Sequence, residues 1–96
     1  MELLIDRSLE DIKKEITRCD EKIGQSTSRS DIDYWNAEKK FYSLIIRAKL
    51  QGIHRSETLL VEADQLFQKR MMLKISAEDS TVMCKAAILM LNGLLD

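Results

Sequence analysis

The chain has 96 residues, 45% apolar and 32% charged. That length makes one domain with a real core, and the balance excludes a disordered chain. Fifteen basic and sixteen acidic residues leave a net charge of −1, so no global field draws in nucleic acid or an anionic membrane. Proline is absent and glycine occurs three times, which favours long unbroken helices. These features predict an all-α fold, a compact antiparallel bundle of four (or three) helices in a single domain, 1–96.

The first predicted helix runs from about 3 to 23. Ile5, Leu9, Ile12, Ile16, Cys19 and Ile23 recur at steps of 4, 3, 4, 3, 4, an a/d seam. Ser8 with Asp11 offers a competing start at Leu9 through a capping box; the seam favours the longer helix because it includes Ile5. Gly24 is read as the stop, and "GQSTSRS" as the longest loop. "LEDIKKEITRCDEKI", Leu9 to Ile23, is similar to the opening helix of the helical chorismate mutases. That family's helix continues into an apolar stretch ending in a substrate-binding arginine. This chain has "GQSTSRS" there, so no residue role is carried over.

The second helix, about 31–51, opens on Ser30 as cap, with Asp31 and Asp33 in its first turn. Tyr34, Ala37, Phe41, Leu44, Ile45 and Ala48 form its main face. Trp35, Tyr42 and Ile46 form a second apolar flank. The apolar arc spans roughly 200°, wider than the stripe of an ordinary surface helix. Gly52 fits the left-handed residue after the helix, followed by Ile53. The third helix, about 57–73, carries one apolar face from Leu59 to Met71 and an acidic start. The fourth, about 77–95, opens on Ser76 and contains "VMCKAAILMLNGLL". Its Cys84, Ile88, Leu91 and Leu95 run beside Met83, Ala87, Met90 and Leu94 as one broad buried face. Val82, Ala86 and Leu89 are expected to extend that face round the helix.

The motifs of chemistry are missing. His54 is the lone histidine and there is no Cys-x-x-Cys, so no metal site is expected. The three glycines are scattered, which makes no phosphate loop. The adjacent acid pairs point about 100° apart on a helix and form no catalytic dyad. No enzyme activity, cofactor or small-molecule substrate is indicated. A rival reading is a DNA-binding regulator with a helix-turn-helix-like segment, using Lys39, Lys40, Arg47, Lys49 and Arg55. The acidic start of "SETLLVEADQL" opposes it, since phosphate contacts belong there. A small all-helical enzyme is a further alternative. The segment Val82–Leu95 is shorter than the 17 to 25 apolar residues of a membrane span and is interrupted by Lys85. Cys19 and Cys84 read as reduced core residues of a cytoplasmic protein.

Two broad apolar helices leave a surplus that four helices alone do not hide. Large apolar patches mark interaction sites, and aromatic and methionine residues are enriched there. The expected function is therefore a small protein-binding module: an adaptor, a chaperone-like holder of an apolar helix, or a regulator. It would self-associate as a homodimer or join a hetero-complex. The expected contact residues are Trp35, Tyr42, Ile46, Met83, Met90 and Leu94.

Overall fold

A computed structural model describes residues 2–96. Among them are four α-helices, α1 (Leu9–Gln25), α2 (Arg29–Leu50), α3 (Thr58–Met72) and α4 (Ala77–Leu95), preceded by a 3₁₀ turn, Leu4–Asp6. The fold is an all-α bundle. Its centre is α2, which packs against α1 on one side and α4 on the other, while α3 packs on α4.

Polar contacts along the helices give their directions. From α1 to α2, Asp20 meets Lys39 at 2.6 Å, Arg18 meets Glu38 at 3.2 Å, and Tyr42 donates to Glu15 at 3.4 Å. The order reverses, so the two helices are antiparallel. Between α2 and α4 the order is conserved. Ser30 Oγ donates to Glu78 at 3.0 Å near both N-termini, and Arg47 lies 3.5 Å from Asp96 near both C-termini. Those two helices run parallel. Each successive helix thus reverses the one before it, and the second and fourth lie side by side.

The start of α1 differs from the sequence expectation. The helix begins at Leu9, where Ser8 Oγ accepts the N–H of Asp11 at 3.1 Å. The local cap prevails over the seam because Ile5 is held elsewhere. Asp64 on α3 accepts the Ile5 N–H at 3.3 Å, and Lys49 on α2 donates to the Ile5 carbonyl at 2.8 Å. Leu3, Leu4 and Ile5 are all buried. Two side chains from distant elements therefore fold an apolar triplet into the core as a separate plug with its own 3₁₀ turn rather than as a first turn of α1. Burial pushes the Asp64 carboxyl above its ordinary range, against the donors that pull it down.

Other boundaries shift for local reasons. Helix α1 runs through Gly24 to Gln25, and only Ser26–Ser28 separate it from α2. The N-cap of α2 is Ser28, while Ser30 spends its hydroxyl on Glu78. Helix α3 has Glu57 at its cap position, and the neighbouring Ser56 hydroxyl sits 2.8 Å from the His54 ring. The end of α2 follows the Schellman pattern. Gly52 N–H donates to Lys49 O at 3.1 Å, Ile53 N–H donates to Ala48 O at 3.0 Å, and Gly52 has φ +78°. On α4, Ser76 Oγ accepts from Asp79 N–H at 3.1 Å.

The core is aliphatic with an aromatic middle. Phe67 of α3 meets Phe41 with ring centres 4.1 Å apart and Tyr42 edge-on at 5.2 Å. Thus α3 reaches α2 through the Phe67 ring. Cys19 and Cys84 are buried and unpaired, and burial pushes both thiols up to about 12. No helix among the described residues is long and apolar enough to cross a membrane.

Two outcomes follow for solution measurements. A Cβ at Gly52 meets no atom within 4 Å, so Gly52→Ala carries only the cost of left-handed backbone, about 1–2 kcal/mol in urea unfolding. Gly24→Ala, in helical backbone with equally open space, should be neutral or slightly stabilising. The thiols should react with a colourimetric thiol reagent only as the protein unfolds. Rapid labelling of either one in native buffer would contradict its burial.

Candidate functional site

Two features go beyond ordinary packing, one buried and one exposed. The buried feature is an ionic cluster. Glu38, on α2, is 1% exposed. One of its oxygens lies 3.2 Å from Arg18 of α1 and the other 3.2 Å from Arg70 of α3. Arg70 is 2% exposed, and its Nη1 donates to Tyr34 at 2.7 Å and to Ser80 of α4 at 3.3 Å. Four helices thus meet on one carboxylate and one guanidinium.

Arg70 is an unusual guest in an apolar interior. Its Nη2 is close enough to Glu38 for an ion pair but out of line for a hydrogen bond, and its Nε has no acceptor among the described residues. The flat guanidinium lies 4.2 Å over the Phe67 ring and 5.2 Å from that of Tyr34. Aromatic faces attract a desolvated cation. Burial works against the Arg70 charge, but Tyr34 and Glu38 hold its pKa above the ordinary value. Arg18 likewise lies over Trp35 at 5.4 Å and pairs with Glu15 at 3.3 Å. The two arginines face Glu38 and Glu15, so the charges balance within the fold. The cluster ties the helices together.

The sequence offered one signal for this cluster. Glu38 stands three residues before Phe41 and four before Tyr42, within the broad apolar arc of α2. Arg70 follows Phe67 by three, on the apolar side of α3. A charge at an apolar helical position implies a buried partner. The partner itself is set by tertiary packing.

The exposed feature is on α4. Trp35 and Tyr42 face α1 through Arg18 and Glu15, and Ile46 is one turn further along that flank, half-buried against the core. Tyr42 is sealed in the core and offers no surface to a partner; burial and the nearby carboxylates raise its hydroxyl pKa. The wide apolar arc of α2 is thus filled from within, by α1 on one side and α4 on the other. Met83, Met90 and Leu94 lie half-buried on one side of α4.

The row expected to extend the buried face is instead uncovered. Val82 is 66% exposed and Leu89 is 71% exposed, with Ala86 and Gly93 exposed beside them. Packing by α2 and α3 uses the Cys84–Ala87–Leu91 side of the helix and leaves the opposite side open. A second apolar exposure, Met71, Met72, Leu73 and Ile75, lies around the turn from α3 to α4.

Four of the five cations proposed for DNA have partners within the chain, while Lys40 is exposed. Lys39 pairs with Asp20, Arg47 with Asp96 and Arg55 with Asp6, while Lys49 holds the Ile5 carbonyl. Among the described residues no three His, Cys, Asp or Glu side chains are placed to hold a metal ion.

Removing the Glu38 charge with Glu38→Met strands Arg70, and should cost about 3–5 kcal/mol in urea unfolding. Arg18→Met, at a half-exposed position, should cost no more than about 1 kcal/mol. The double variant Glu38→Met/Arg70→Met should be more stable than Glu38→Met alone. Additive losses would show that the two residues do not act as a pair.

Comparisons of the chain with protein-family models, with curated proteins and with solved structures found no match.

Proposed function

We propose that this chain is a small non-enzymatic protein-binding module, working by helix packing as an adaptor, a chaperone-like holder or a regulator in the cytoplasm. It would act in a dimer or a hetero-complex. The observation that supports this reading is the uncovered row Val82, Ala86, Leu89 and Gly93 on α4. Apolar residues spaced at 4, 3 and 4 along a helix form a seam that a second helix fills. Met83 and Met90 border the row and can adapt to the shape of a partner. The expected contact surface therefore moves to the outer face of α4, keeping Met83, Met90 and Leu94 and leaving out Trp35 and Tyr42, which meet α1, and Ile46, half-buried against the core. Two unpaired, buried cysteines suit a reducing compartment.

Site-specific photo-crosslinking in cells tests the reading. A benzophenone amino acid replacing Leu89 should form a discrete protein adduct. The same group replacing Lys14, on the exposed side of α1, should form none. No adduct at Leu89, or equal labelling from both positions, overturns the proposal.

A further inference from the structure

The spacing of large and small residues on the open face of α4 is self-complementary. We infer that this face pairs with a second copy of the chain, α4 against α4 in antiparallel orientation about a two-fold axis between Ala86 and Leu89. The inference rests on the protein-binding reading above and names the partner.

The argument is one of register. In antiparallel helix pairs, a-type positions pack against d-type positions of the other helix, with small residues opposite large ones where the fit is close. Centring the axis between Ala86 and Leu89 sets Leu89 of each copy on Ala86 of the other. The same operation sets Val82 on Gly93. Every large residue of the row meets a small one, twice over, from one symmetry operation. A two-fold interface requires this property, because one patch must fit itself. A parallel pairing instead sets Leu89 on Leu89 and Gly93 on Gly93, a crowded layer beside a hollow one.

The flanking positions agree. Met83 falls beside Met90 of the second copy on one flank, and Lys85 beside Asn92 on the other, so no like charges face each other along the seam. Acids approach only at the ends, where Asp79 of one copy reaches the level of Asp96 of the other. Arg47, within 3.5 Å of Asp96 and half exposed, supplies a cation there. The opposed helix dipoles also favour the antiparallel arrangement. Leu50, the next exposed apolar residue along α2 beyond Arg47, lies at the end of the bundle that Leu73 and Ile75 of the second copy approach.

A single pair of 19-residue helices makes a small interface beside the roughly 1,200–2,000 Å² typical of stable complexes. The expected affinity is accordingly in the micromolar range.

Sedimentation equilibrium of the intact chain should show a concentration-dependent monomer–dimer balance. Leu89→Glu should weaken the dimer by at least about a hundredfold, and Gly93→Leu by about tenfold or more, each with the helical circular-dichroism signal and unfolding midpoint retained. Because both positions face solvent in the monomer, loss of folding in either variant would show that α4 is covered from within and would overturn the proposal. Disulfide trapping then reads the register. Val82→Cys mixed with Gly93→Cys should cross-link faster than either variant alone. Faster linkage of Val82→Cys to itself would make the pairing parallel and overturn the assignment. A monomer at every concentration, with a different protein trapped from Leu89 in the cell, would overturn the second-copy proposal and leave the binding-module reading standing. A monomer with no adduct at all would remove both.

Discussion

Glu38 and Arg70 set the terms for the rest of the fold. Neither side chain can be placed in an apolar interior alone, because an isolated buried charge is far more costly than any single hydrophobic contact is favourable. Satisfying them requires α1, α2, α3 and α4 at once: Arg18 from the first, Tyr34 from the second, Phe67 from the third and Ser80 from the fourth. An apolar filling of the same volume would hold the helices together with less demand on orientation. An ion pair with a stacked guanidinium is tolerant of few orientations. We therefore read the cluster as a source of specificity more than of stability, the use for which buried polar groups are best supported.

Around that hub the molecule is lopsided. Helix α2 is covered on both apolar sides and shows solvent a narrow strip with Asn36, Lys40, Ser43 and Arg47. Helix α4 is the mirror case. It has apolar residues on both sides of its axis and neighbours on only one. The side chains meet their different surroundings accordingly: Leu91 has no exposure, while Leu89, two residues earlier, is mostly in water. A polar outer face would have been easy to supply, as α1 shows with Glu10, Lys13, Lys14 and Glu21.

Much of this was legible in the chain. The four helices, the capping serine at Ser76 and the left-handed glycine at Gly52 are local features, each written in a few adjacent residues; the Ser8 cap was equally local but was outweighed by the seam through Ile5. The width of the apolar arc on α2 marked a helix with more neighbours than a surface helix has, but not that α1 and α4 supply them. Three things were not legible, for a common reason. Ile5 fits the seam of α1, yet it is captured by Asp64, 59 residues away. Tyr42 has the composition of an interface residue, yet α1 lies over it. Val82 and Leu89 have the composition of core residues, yet no helix reaches them. Periodicity reports how much of a helix is apolar; which arc is filled depends on where the neighbours fall. The same limit applies to Glu38 and Arg70, whose anomaly is visible in sequence and whose pairing is not.

The plug at Leu3–Ile5 has a consequence for how the chain is made. Its anchors are Lys49, Asp64 and Gln68, the last holding the Glu2 carbonyl. Residues made well before their anchors thus wait for α3 before they find a place. Helices α1 and α2 can meet as a hairpin during that interval, with Glu38 held by Arg18 alone. Arg70 arrives with α3, and the plug and the second half of the ionic cluster close in the same stretch of synthesis. Until then three consecutive aliphatic residues and one face of α2 are open to water, and it is in this interval that the nascent protein is most exposed to wrong associations.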